Sequence, residues 1–458
     1  MTLIRSISGI RGTIGGVVGE GLTPPDLVKY ATAFAQYLKD KTQQSTVKVV
    51  VGRDGRISGK MVNDLVCATL VAMGVDVVNL GLSTTPTVAM NVPRFDADGG
   101  IILTASHNPA HWNALKLLDE RGEFLDAVEG ERVLTLAEST PVYPGVDSLG
   151  LMKEETDSVE FHLEKILALP YVKREAIAKA DFKVVVDGIN SSGGVAVPQL
   201  LEALGVTEVI TLNGTPDGHF AHNPEPIAAH LSDICDRVIQ EKAHLGIVVD
   251  PDVDRLAFVD EKGMLWGEEY TLVACADYIL SKKGGNTVSN LSSSRALRDL
   301  TKRFGGEYSA SAVGEVNVVK RMKETHAIIG GEGNGGVILP ELHYGRDALV
   351  GIALVLSLLT ELKLPMSEVK KRYPEYHIAK RKMQLHASTN VDALLEQVMQ
   401  AYSSYPINTI DGVKIDLPHG WIHLRKSNTE PIIRIYTETK TMGMSDKLAE
   451  EVMAKLQP

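Results

Sequence analysis

The sequence predicts an α/β protein in which three similar α/β domains precede an α+β module of different character. Its 458 residues exceed what one hydrophobic core can organise, so three or four domains are expected. A pattern of strand, polar loop, helix, glycine and second strand occurs three times in tandem. Such βαβ units bring their strands together in a parallel sheet. The chain beyond residue 374 lacks this pattern, which predicts a separate fold for the last module.

The three copies share the order of their elements. The first two begin with a valine-rich strand, the third is weaker, and the helices are stopped at Gly74, Gly205 and Gly305. A helix is also predicted at 24–38, where apolar residues recur at spacings of three and four. The predicted strand, helix and strand of each copy are 47–51, 60–73 and 75–80; 182–186, a helix to 204, and 206–212; and 287–291, a helix to 304, and a strand from 308.

The rest of the chain supplies the boundaries. The apolar run 348–359 is predicted to be a buried helix that is too short to cross a bilayer. Residues 364–374, with Pro365 and Pro374, are predicted to be a linker. We expect domains at 1–152, 153–258, 259–368 and 369–458. The last has predicted strands at 378–386, near 413, at 421–425 and at 432–437, and helices at 391–402 and at the C-terminus.

Composition and charge exclude several classes of partner. The net charge of −11 argues against nucleic acid or an anionic membrane as the main partner. The N-terminus shows no apolar run followed by a cleavage site, so no signal peptide is predicted. The three cysteines are scattered without metal-binding spacing, which is usual in a reducing compartment. These features predict a cytoplasmic protein whose anionic ligands must meet local arginines and lysines.

A serine stands at the end of a predicted strand, in the stretch TASHNP at 104–109. Residues 99–103 form a short apolar run behind two glycines, which predicts a buried strand. Open α/β sheets bind ligands beyond the carboxyl ends of their strands, so Ser106 is a candidate site residue. His107 follows directly, but neighbours in an extended loop point apart, so His107 is not an obvious base for Ser106. An ordinary turn is the plainer interpretation of these six residues alone.

Three aspartates alternate in DPDVDR at 250–255, after another apolar strand. Alternation would project Asp250, Asp252 and Asp254 to one side, and three hard oxygen ligands suit Mg²⁺. An EF-hand is excluded, because its sixth position would hold glycine where this chain has Arg255, and because a strand precedes the loop. An aspartate-based phosphatase remains a competitor, although its nucleophile is expected after the first strand of the chain. The pattern therefore predicts a metal site.

Two further loops carry groups that suit a sugar phosphate. GGEGNGG at 330–336 offers Glu332 and Asn334, which can hydrogen-bond adjacent sugar hydroxyls. A phosphate-cradling loop and a plain flexible loop are the alternatives. RKSNTEP at 425–431 gathers a guanidinium, two hydroxyls and an amide between two predicted strands, which suits a phosphate monoester. A simple hairpin turn would also explain this stretch.

Taken together and in this order, the four loops resemble those of the α-D-phosphohexomutases, and the resemblance covers essentially the whole chain. TASHNP resembles the phosphoserine loop of that family, DPDVDR its metal loop, GGEGNGG its sugar-recognition loop and RKSNTEP its phosphate-binding loop. The resemblance implies three similar α/β domains with mixed sheets plus a C-terminal α+β domain around a central cleft. We further expect the last domain to act as a lid that is hinged in the linker.

The resemblance also implies a reaction and the residues that perform it. Phosphoryl would move reversibly between O6 and O1 of a hexose phosphate, through a phosphoserine at Ser106 and a hexose bisphosphate that also acts as activator. Mg²⁺ is the implied metal, with Ser106, Asp250, Asp252 and Asp254 as its ligands. The other implied residues are catalytic Lys116, Arg11 and His107, and substrate-binding Arg255, Glu332, Asn334, Arg425, Ser427, Asn428, Thr429 and Arg434.

The sequence departs from many members of that family, for example at Asn334, Gly336 and Asn428. In these departures it is similar to the prokaryotic branch of phosphoglucosamine mutases and phosphomannomutases/phosphoglucomutases, which leaves the sugar open. Conversion of glucosamine 6-phosphate to glucosamine 1-phosphate is the leading expectation, and mannose or glucose phosphate is the alternative. A Mg²⁺-dependent phosphatase and a non-catalytic phosphosugar-binding protein are competing hypotheses. A monomer or homodimer is expected.

Overall fold

The computed structural model describes residues 1–6, 9–385, 390–426 and 432–456. The strands are β1 Leu3–Ser6, β2 Gly9–Thr13, β3 Val47–Arg53, β4 Val75–Leu82, β5 Gly99–Leu103, β6 Trp112–Leu118, β7 Met152–Glu154, β8 Lys183–Asp187, β9 Glu208–Leu212, β10 Leu245–Val249, β11 Leu256–Asp260, β12 Asn286–Asn290, β13 Tyr308–Ser311, β14 Ala327–Glu332, β15 Gly336–Ile338, β16 His377–Gln384, β17 Ile407–Asn408, β18 Val413–Leu417, β19 Gly420–Lys426 and β20 Ile432–Thr439. The helices are α1 Pro24–Thr42, α2 Gly59–Ala72, α3 Thr85–Arg94, α4 Ala127–Ala137, α5 Ser158–Leu167, α6 Arg174–Lys179, α7 Gly193–Ala203, α8 Ser232–Glu241, α9 Glu268–Lys282, α10 Arg295–Arg303, α11 Glu315–Thr325, α12 Ala348–Leu362, α13 Met366–Lys370, α14 Val391–Ala401 and α15 Met442–Leu456.

The chain folds into two compact units, which are described separately. The first unit consists of Met1–Thr271 and Gly335–Val369. The second consists of Leu272–Asn334 and Lys370–Pro458.

The first unit begins with a seven-stranded sheet in the order β1-β2-β6-β5-β3-β4-β7. β3, α2 and β4 are the first predicted βαβ copy, and the two strands pair in parallel as expected. β5 also pairs in parallel with β3, whereas β1, β2 and β6 add antiparallel pairs, so the sheet is mixed. Apolar side chains pack on both faces of its central strands. Since β3 and β5 are parallel neighbours, the loops that follow them emerge side by side.

The second sheet, also in the first unit, has the order β11-β10-β8-β9. β8, α7 and β9 form the second predicted copy, again with parallel strands. β10 pairs in parallel with β8, and β11 returns antiparallel to β10. Every residue of β10 and β11 is buried. The loop between them therefore starts from a fixed position at the carboxyl end of β10.

The second unit contains the third copy and the C-terminal module. β13, β12 and β14 pair in parallel in that order, which confirms the third βαβ prediction. The C-terminal sheet has the order β16-β20-β19-β18-β17, and every one of its pairs is antiparallel. α14 and α15 pack against one face of it through residues such as Val398 and Val452. The predicted fold class, three similar α/β parts with mixed sheets and a C-terminal α+β part, is confirmed.

α12 shows how the local sequence determines a helix that is important for the site. Its cap is Asp347, whose Oδ1 accepts from the N–H groups of Leu349 and Val350 at 2.8 and 3.2 Å. Its residues from Ala348 to Leu359 are all buried, which confirms the prediction of a buried helix. Among the described residues, no helix has both the length and the apolar content that a membrane span requires.

Two stretches that were predicted to be irregular contain regular secondary structure. The linker at 364–374 contains α13, in which Met366 and Val369 are buried one turn apart, because apolar residues at this spacing after a proline favour a helical turn. GGEGNGG is not wholly a loop, since β14 ends at Glu332 and β15 begins at Gly336. Gly330 is needed inside β14, because a Cβ there would lie 2.7 Å from the carbonyl oxygen of Val288 on the neighbouring strand.

Candidate functional site

Ser106 lies just beyond the carboxyl end of β5. Its hydroxyl donates a hydrogen bond to Oδ2 of Asp250 at 2.7 Å, although the two residues are distant in sequence. Its backbone N–H donates to Oγ1 of Thr104 at 2.9 Å. Its φ of +48° is one that residues other than glycine seldom adopt. Such a conformation persists only where surrounding contacts enforce it, so the backbone at Ser106 is held in this turn by its neighbours.

Arg56 enforces that turn. Its guanidinium is fully buried and donates to the backbone carbonyls of Ser106, Asn108 and Pro109, the latter two at 2.7 Å. It also forms an ion pair with Asp54 at 3.0 Å, in which neither side chain is exposed. One side chain from the loop after β3 therefore fixes the backbone around Ser106.

The three aspartates converge in a turn, not along an extended strand. One oxygen from each of Asp250, Asp252 and Asp254 lies within 4.8 Å of the others, so the carboxylates do face one point. The alternation argument was wrong about the cause. Val253 has a φ of +62°, and the backbone N–H groups of Asp254 and Arg255 both donate to Oδ1 of Asp250 at 3.1 Å. The loop is wrapped around Asp250.

Asp252 and Asp254 are also held from outside the loop, each through one oxygen. Oδ2 of Asp252 accepts from Oγ1 of Thr85 at 2.6 Å and from Nζ of Lys116 at 2.7 Å. Oδ2 of Asp254 accepts from a guanidinium nitrogen of Arg346 at 2.7 Å. All of these side chains are buried, so the positions of the two carboxylates are well defined.

The other oxygen of each carboxylate fits a divalent cation. Oδ1 of Asp252 and Oδ1 of Asp254 are buried and have no hydrogen-bond partner within the described part of the chain. A buried acceptor without a donor is costly, and such oxygens are the ligands that Mg²⁺ prefers. The donor set, with Asp250 beside it, is therefore suited to a hard cation.

The pKa shifts agree with that conclusion. Burial, together with the neighbouring charges of Asp252 and Asp254, raises the pKa of Asp250 well above its usual range. Burial would do the same to Asp252, but Lys116 and Thr85 hold the pKa of that carboxyl below its usual range. Three full negative charges are thus disfavoured without a cation, because the carboxylates repel one another in a dry environment.

Lys116 and Arg11 lie in the same buried region. Lys116 belongs to β6 and is only 5% exposed, so it is not a surface lysine, and its ammonium is paired with Asp252. Arg11 belongs to β2 and donates to Oδ1 of Asn108 at 2.8 Å. Although Asp252 is nearby, burial and the charge of Arg255 lower the pKa of Arg11. Two cationic side chains therefore border the carboxylates.

His107 is close to Ser106 but poorly placed as its base. Its Nδ1 lies 3.5 Å from Oγ of Ser106, at the upper limit for a hydrogen bond. Burial, with the charges of Arg255 and Arg11, lowers the pKa of His107 to about 2. The ring is therefore neutral at neutral pH and a weak proton acceptor. Arg255 itself is buried, with Nε 3.9 Å from Oδ2 of Asp250.

Glu332 and Asn334 lie together in the second unit. Glu332 is buried at the end of β14, and its Oε1 accepts from Nδ2 of Asn290 at 2.8 Å and from the N–H of Gly314 at 3.0 Å. Nδ2 of Asn334 lies 3.4 Å from the other carboxylate oxygen of Glu332. The carboxylate is thus held in a defined position by the third βαβ copy.

Arg425 and Arg434 are directly opposed on the antiparallel pair β19 and β20, and Lys382 of β16 is opposed to Arg434 in turn. Directly opposed like charges destabilise a sheet, so this row of three cations favours an anion bound beside it. Arg425 is also paired with Asp411 at 2.8 Å. The predicted Ser427, Asn428 and Thr429 lie outside the described residues.

Sequence analysis missed several residues that shape the site. Arg56, Thr85 and Arg346 belong to none of the four loops singled out above. Lys382 is one of many exposed lysines. Nothing in their local sequence marks these residues, because their importance comes from contacts with distant parts of the chain.

Comparisons with known proteins agree along the whole chain. Residues 4–140, 160–263 and 267–376 match the alpha/beta/alpha domains I, II and III of phosphoglucomutase/phosphomannomutase. Residues 367–455 match the C-terminal domain described under the same name.

Individual relatives are similar over nearly their full length. The phosphoglucomutase/phosphomannomutase of Thermococcus kodakarensis is 35% identical, over 96% of this chain and 98% of its own. The phosphoglucosamine/phosphogalactosamine mutase of Sulfurisphaera tokodaii is 32% identical, over 96% and 97%. The crystal structure of a phosphoglucomutase/phosphomannomutase family protein from Burkholderia thailandensis is 25% identical and has a TM-score of 0.81, covering 99% of this chain and 96% of that one.

Proposed function

Because this chain belongs to the phosphoglucomutase/phosphomannomutase family, we propose that it moves a phosphoryl group between O6 and O1 of a hexose phosphate, with Ser106 as the phosphorylated residue. The observation that carries the assignment to Ser106 is the 2.7 Å hydrogen bond from its hydroxyl to Asp250. That contact places the only serine of the TASHNP turn against a carboxylate cluster suited to a divalent cation. A hexose bisphosphate is the proposed intermediate and activator.

The proposed transfer balances at each half-reaction. An oxygen of the sugar forms a bond to the phosphorus on Ser106 while the bond from phosphorus to Oγ breaks. The sugar hydroxyl loses a proton and Oγ gains one. The second half-reaction runs in reverse from the other phosphate of the bisphosphate and restores phosphoserine. We assign Lys116 and Arg11 to acid–base and charge-stabilising roles, because Lys116 is a buried cation and Arg11 a half-buried one beside the carboxylates.

Mg²⁺ is the proposed metal, held by Asp250, Asp252, Asp254 and the phosphate on Ser106. The unpartnered Oδ1 atoms of Asp252 and Asp254 support this assignment. When bound, the ion would offset the charge of the transferred phosphoryl group. Thr85 and Arg346 would keep the two carboxylates in place whether or not the ion is present.

We also assign residues to substrate binding. We assign Glu332 and Asn334 to the sugar hydroxyls, since Glu332 presents a fixed buried carboxylate. We assign Arg425 and Arg434 to the phosphate that does not react, since directly opposed guanidiniums favour an anion. The remaining proposed substrate contacts are Arg255, Ser427, Asn428 and Thr429. His107 remains a proposed catalytic residue beside Ser106, with a neutral ring.

Glucosamine 6-phosphate is our leading substrate, with glucosamine 1-phosphate as product. One relative is named for glucosamine and galactosamine phosphates and another for glucose and mannose phosphates, so mannose or glucose phosphate is the alternative. We also propose four domains with the boundaries expected above, a cytoplasmic location, and a monomer or homodimer.

The test is a coupled assay across glucosamine, glucose and mannose phosphates with a bisphosphate activator. We expect isomer exchange without accumulation of inorganic phosphate, and intact-mass spectrometry should show one phosphate that Ser106→Ala lacks. Release of phosphate without exchange would instead identify a phosphatase. Tight binding of hexose phosphates without either reaction would identify a binding protein. Full mutase activity in Ser106→Ala would refute the assignment of the phosphorylated residue.

A further inference from the structure

The first unit contains a second cluster of ionisable side chains behind the carboxylate turn. His162 of α5, His343 and Asp347 bring one ligand-type atom each within 4.8 Å of the others. Nε2 of His162 lies 2.9 Å from Oδ2 of Asp347, and Nε2 of His343 lies 3.3 Å from the same oxygen. His162 and Asp347 are fully buried. The chemistry proposed above uses none of these three residues.

The hydrogen bonds of this cluster are complete without a metal. A carboxylate oxygen only accepts, so each Nε2 must carry a hydrogen and donate it to Asp347. The other ring nitrogen of His162 is hydrogen-bonded to Oγ1 of Thr87 at 3.0 Å, and Oδ1 of Asp347 is satisfied as the cap of α12. None of these atoms is a buried group without a partner among the described residues, whereas Oδ1 of Asp252 is one. The two clusters therefore differ in kind.

The two ends of this hydrogen-bonded chain lie close in sequence to Thr85 and Arg346, the residues that hold the carboxylates of Asp252 and Asp254. At one end Thr87 lies in the first turn of α3, two residues after Thr85, which donates to Asp252. At the other end Asp347 follows Arg346, which donates to Asp254. His162 connects the two ends and is the bridge between the start of α3 and the start of α12.

The same two helix starts also hold the backbone of the turn. The N–H of Thr85 donates to the carbonyl of Asp252 at 2.8 Å, and the N–H of Ala348 donates to the carbonyl of Val253 at 3.1 Å. Each helix thus holds one peptide and one carboxylate of the turn. If the two helix starts moved independently, the unpartnered oxygens of Asp252 and Asp254 would separate.

We propose that the chain Thr87–His162–Asp347 positions the metal-binding carboxylates, by locking α3 and α12 to each other behind the turn. His162 and Asp347 are positioning residues, since neither touches the metal site itself. The inference rests on the proposed function, because it assumes that the aspartate turn binds a divalent cation. Groups that hydrogen-bond directly to metal ligands typically contribute ten- to a hundredfold to metal affinity, and Thr85 and Arg346, which this chain positions, are such groups.

The test measures Mn²⁺ binding by electron paramagnetic resonance, with the wild-type chain and every variant fully dephosphorylated. His162→Phe fills the space but removes both hydrogen bonds, and we expect it to raise the Kd for Mn²⁺ roughly tenfold or more. His162→Gln can still donate to Asp347 from near the Nε2 position, and we expect it to recover most of the affinity. Asp347→Asn keeps a cap for α12 but weakens the pairing, and should resemble His162→Phe.

Asn91→Leu is the matched control. Nδ2 of Asn91 donates to the carbonyls of Thr87 and Ser158 at 2.8 and 3.2 Å, so it also connects α3 with the start of α5. This substitution should lower thermal stability and leave the Kd for Mn²⁺ unchanged. In activity assays the Mg²⁺ activation constant should rise for His162→Phe while KM for the sugar phosphate stays constant.

Three outcomes would overturn the proposal. One is a folded His162→Phe or Asp347→Asn variant whose Kd for Mn²⁺ stays within twofold of wild type. Another is an equal loss of Mn²⁺ affinity in Asn91→Leu, which would indicate general loosening. The third is an intense, tetrahedral-type Co²⁺ absorption that His343→Asn abolishes, which would make the cluster a metal site itself. If the wild-type chain showed no mutase activity, the proposed function would be refuted, but the comparison of Mn²⁺ affinities among the variants would still be valid.

Discussion

Replacing Arg56 with methionine should damage the serine turn more than any exposed substitution in the first unit. The guanidinium and the carboxylate of Asp54 are paired at 3.0 Å with no exposure of either side chain. Removing one partner of a buried pair costs roughly 3–5 kcal/mol, because the other charge is left uncompensated. Arg56→Met would also remove the donors to the carbonyls of Ser106 and Asn108. Burial raises the pKa of Asp54 even beside Arg56, so this carboxyl can take up a proton in the variant, which places the loss near 3 kcal/mol.

A double-mutant cycle with Asp54→Asn would test this reasoning. Global unfolding of a chain with several domains is not a two-state process, so the measurement is hydrogen exchange in β5 and β6, which reports local opening. We expect the double variant to be more stable than the sum of the single changes by about 1–3 kcal/mol, since asparagine leaves no charge behind. We also expect kcat to fall in Arg56→Met. Strict additivity, or unchanged exchange and kcat, would refute the idea that Arg56 holds the Ser106 turn.

Three other predictions concern the proposed metal, the proposed site for the phosphate that does not react, and pH. Asp252→Ala should lower turnover by several orders of magnitude, and unchanged activity in excess chelator would contradict it. Arg425→Ala should mainly raise KM, because it removes roughly 1.5–3 kcal/mol of substrate-binding free energy. Asp411→Asn is the control, because Asp411 pairs with Arg425. Loss of Ser106 phosphorylation with intact substrate affinity would count against this role. Burial, with the charge of Lys414, lowers the pKa of His423 to about 4. Below its unfolded pKa of about 6.5 only the unfolded chain takes up the proton, so stability should fall between pH 6.5 and 4 by up to about 3 kcal/mol. The local stability of β19 and β20, measured from hydrogen-exchange protection, should lose that pH dependence in His423→Gln, and an equal pH dependence in both chains would contradict it.

Much of the fold could be predicted from sequence because it is encoded locally. Valine-rich strands, glycine stops and apolar spacing predicted the three βαβ copies, and each pairs in parallel. The strands that make the first sheet mixed were not predicted. β1 and β2 are short, and β6 carries the polar residues Asn113 and Lys116 among its apolar ones. Their strand state depends on pairing with distant residues, which local patterns do not report.

The loops of the candidate site could be predicted from the sequence, but the spatial arrangement of their side chains could not. The serine and aspartate stretches each follow a strand, so general rules for α/β sheets identified them. The convergence of the aspartates was inferred from alternation, whereas it results from the turn at Val253 and from backbone donors to Asp250. Thr85 and Arg346 could not have been identified, since a threonine at a helix start and an arginine before a cap are common in any sequence.

Charge balance connects these separate features. Around Ser106 the chain places three carboxylates, those of Asp250, Asp252 and Asp254, and four cations, those of Lys116, Arg11, Arg255 and Arg346. A phosphate on Ser106 carries nearly two negative charges, and a divalent cation carries two positive ones. Adding either alone would shift a buried region by two charges, which is costly at low dielectric. Adding both keeps the balance of the chain's own groups. The four cations would therefore be matched to a phosphoserine and a metal together, which is the arrangement that the proposed phosphoryl transfer at Ser106 would require.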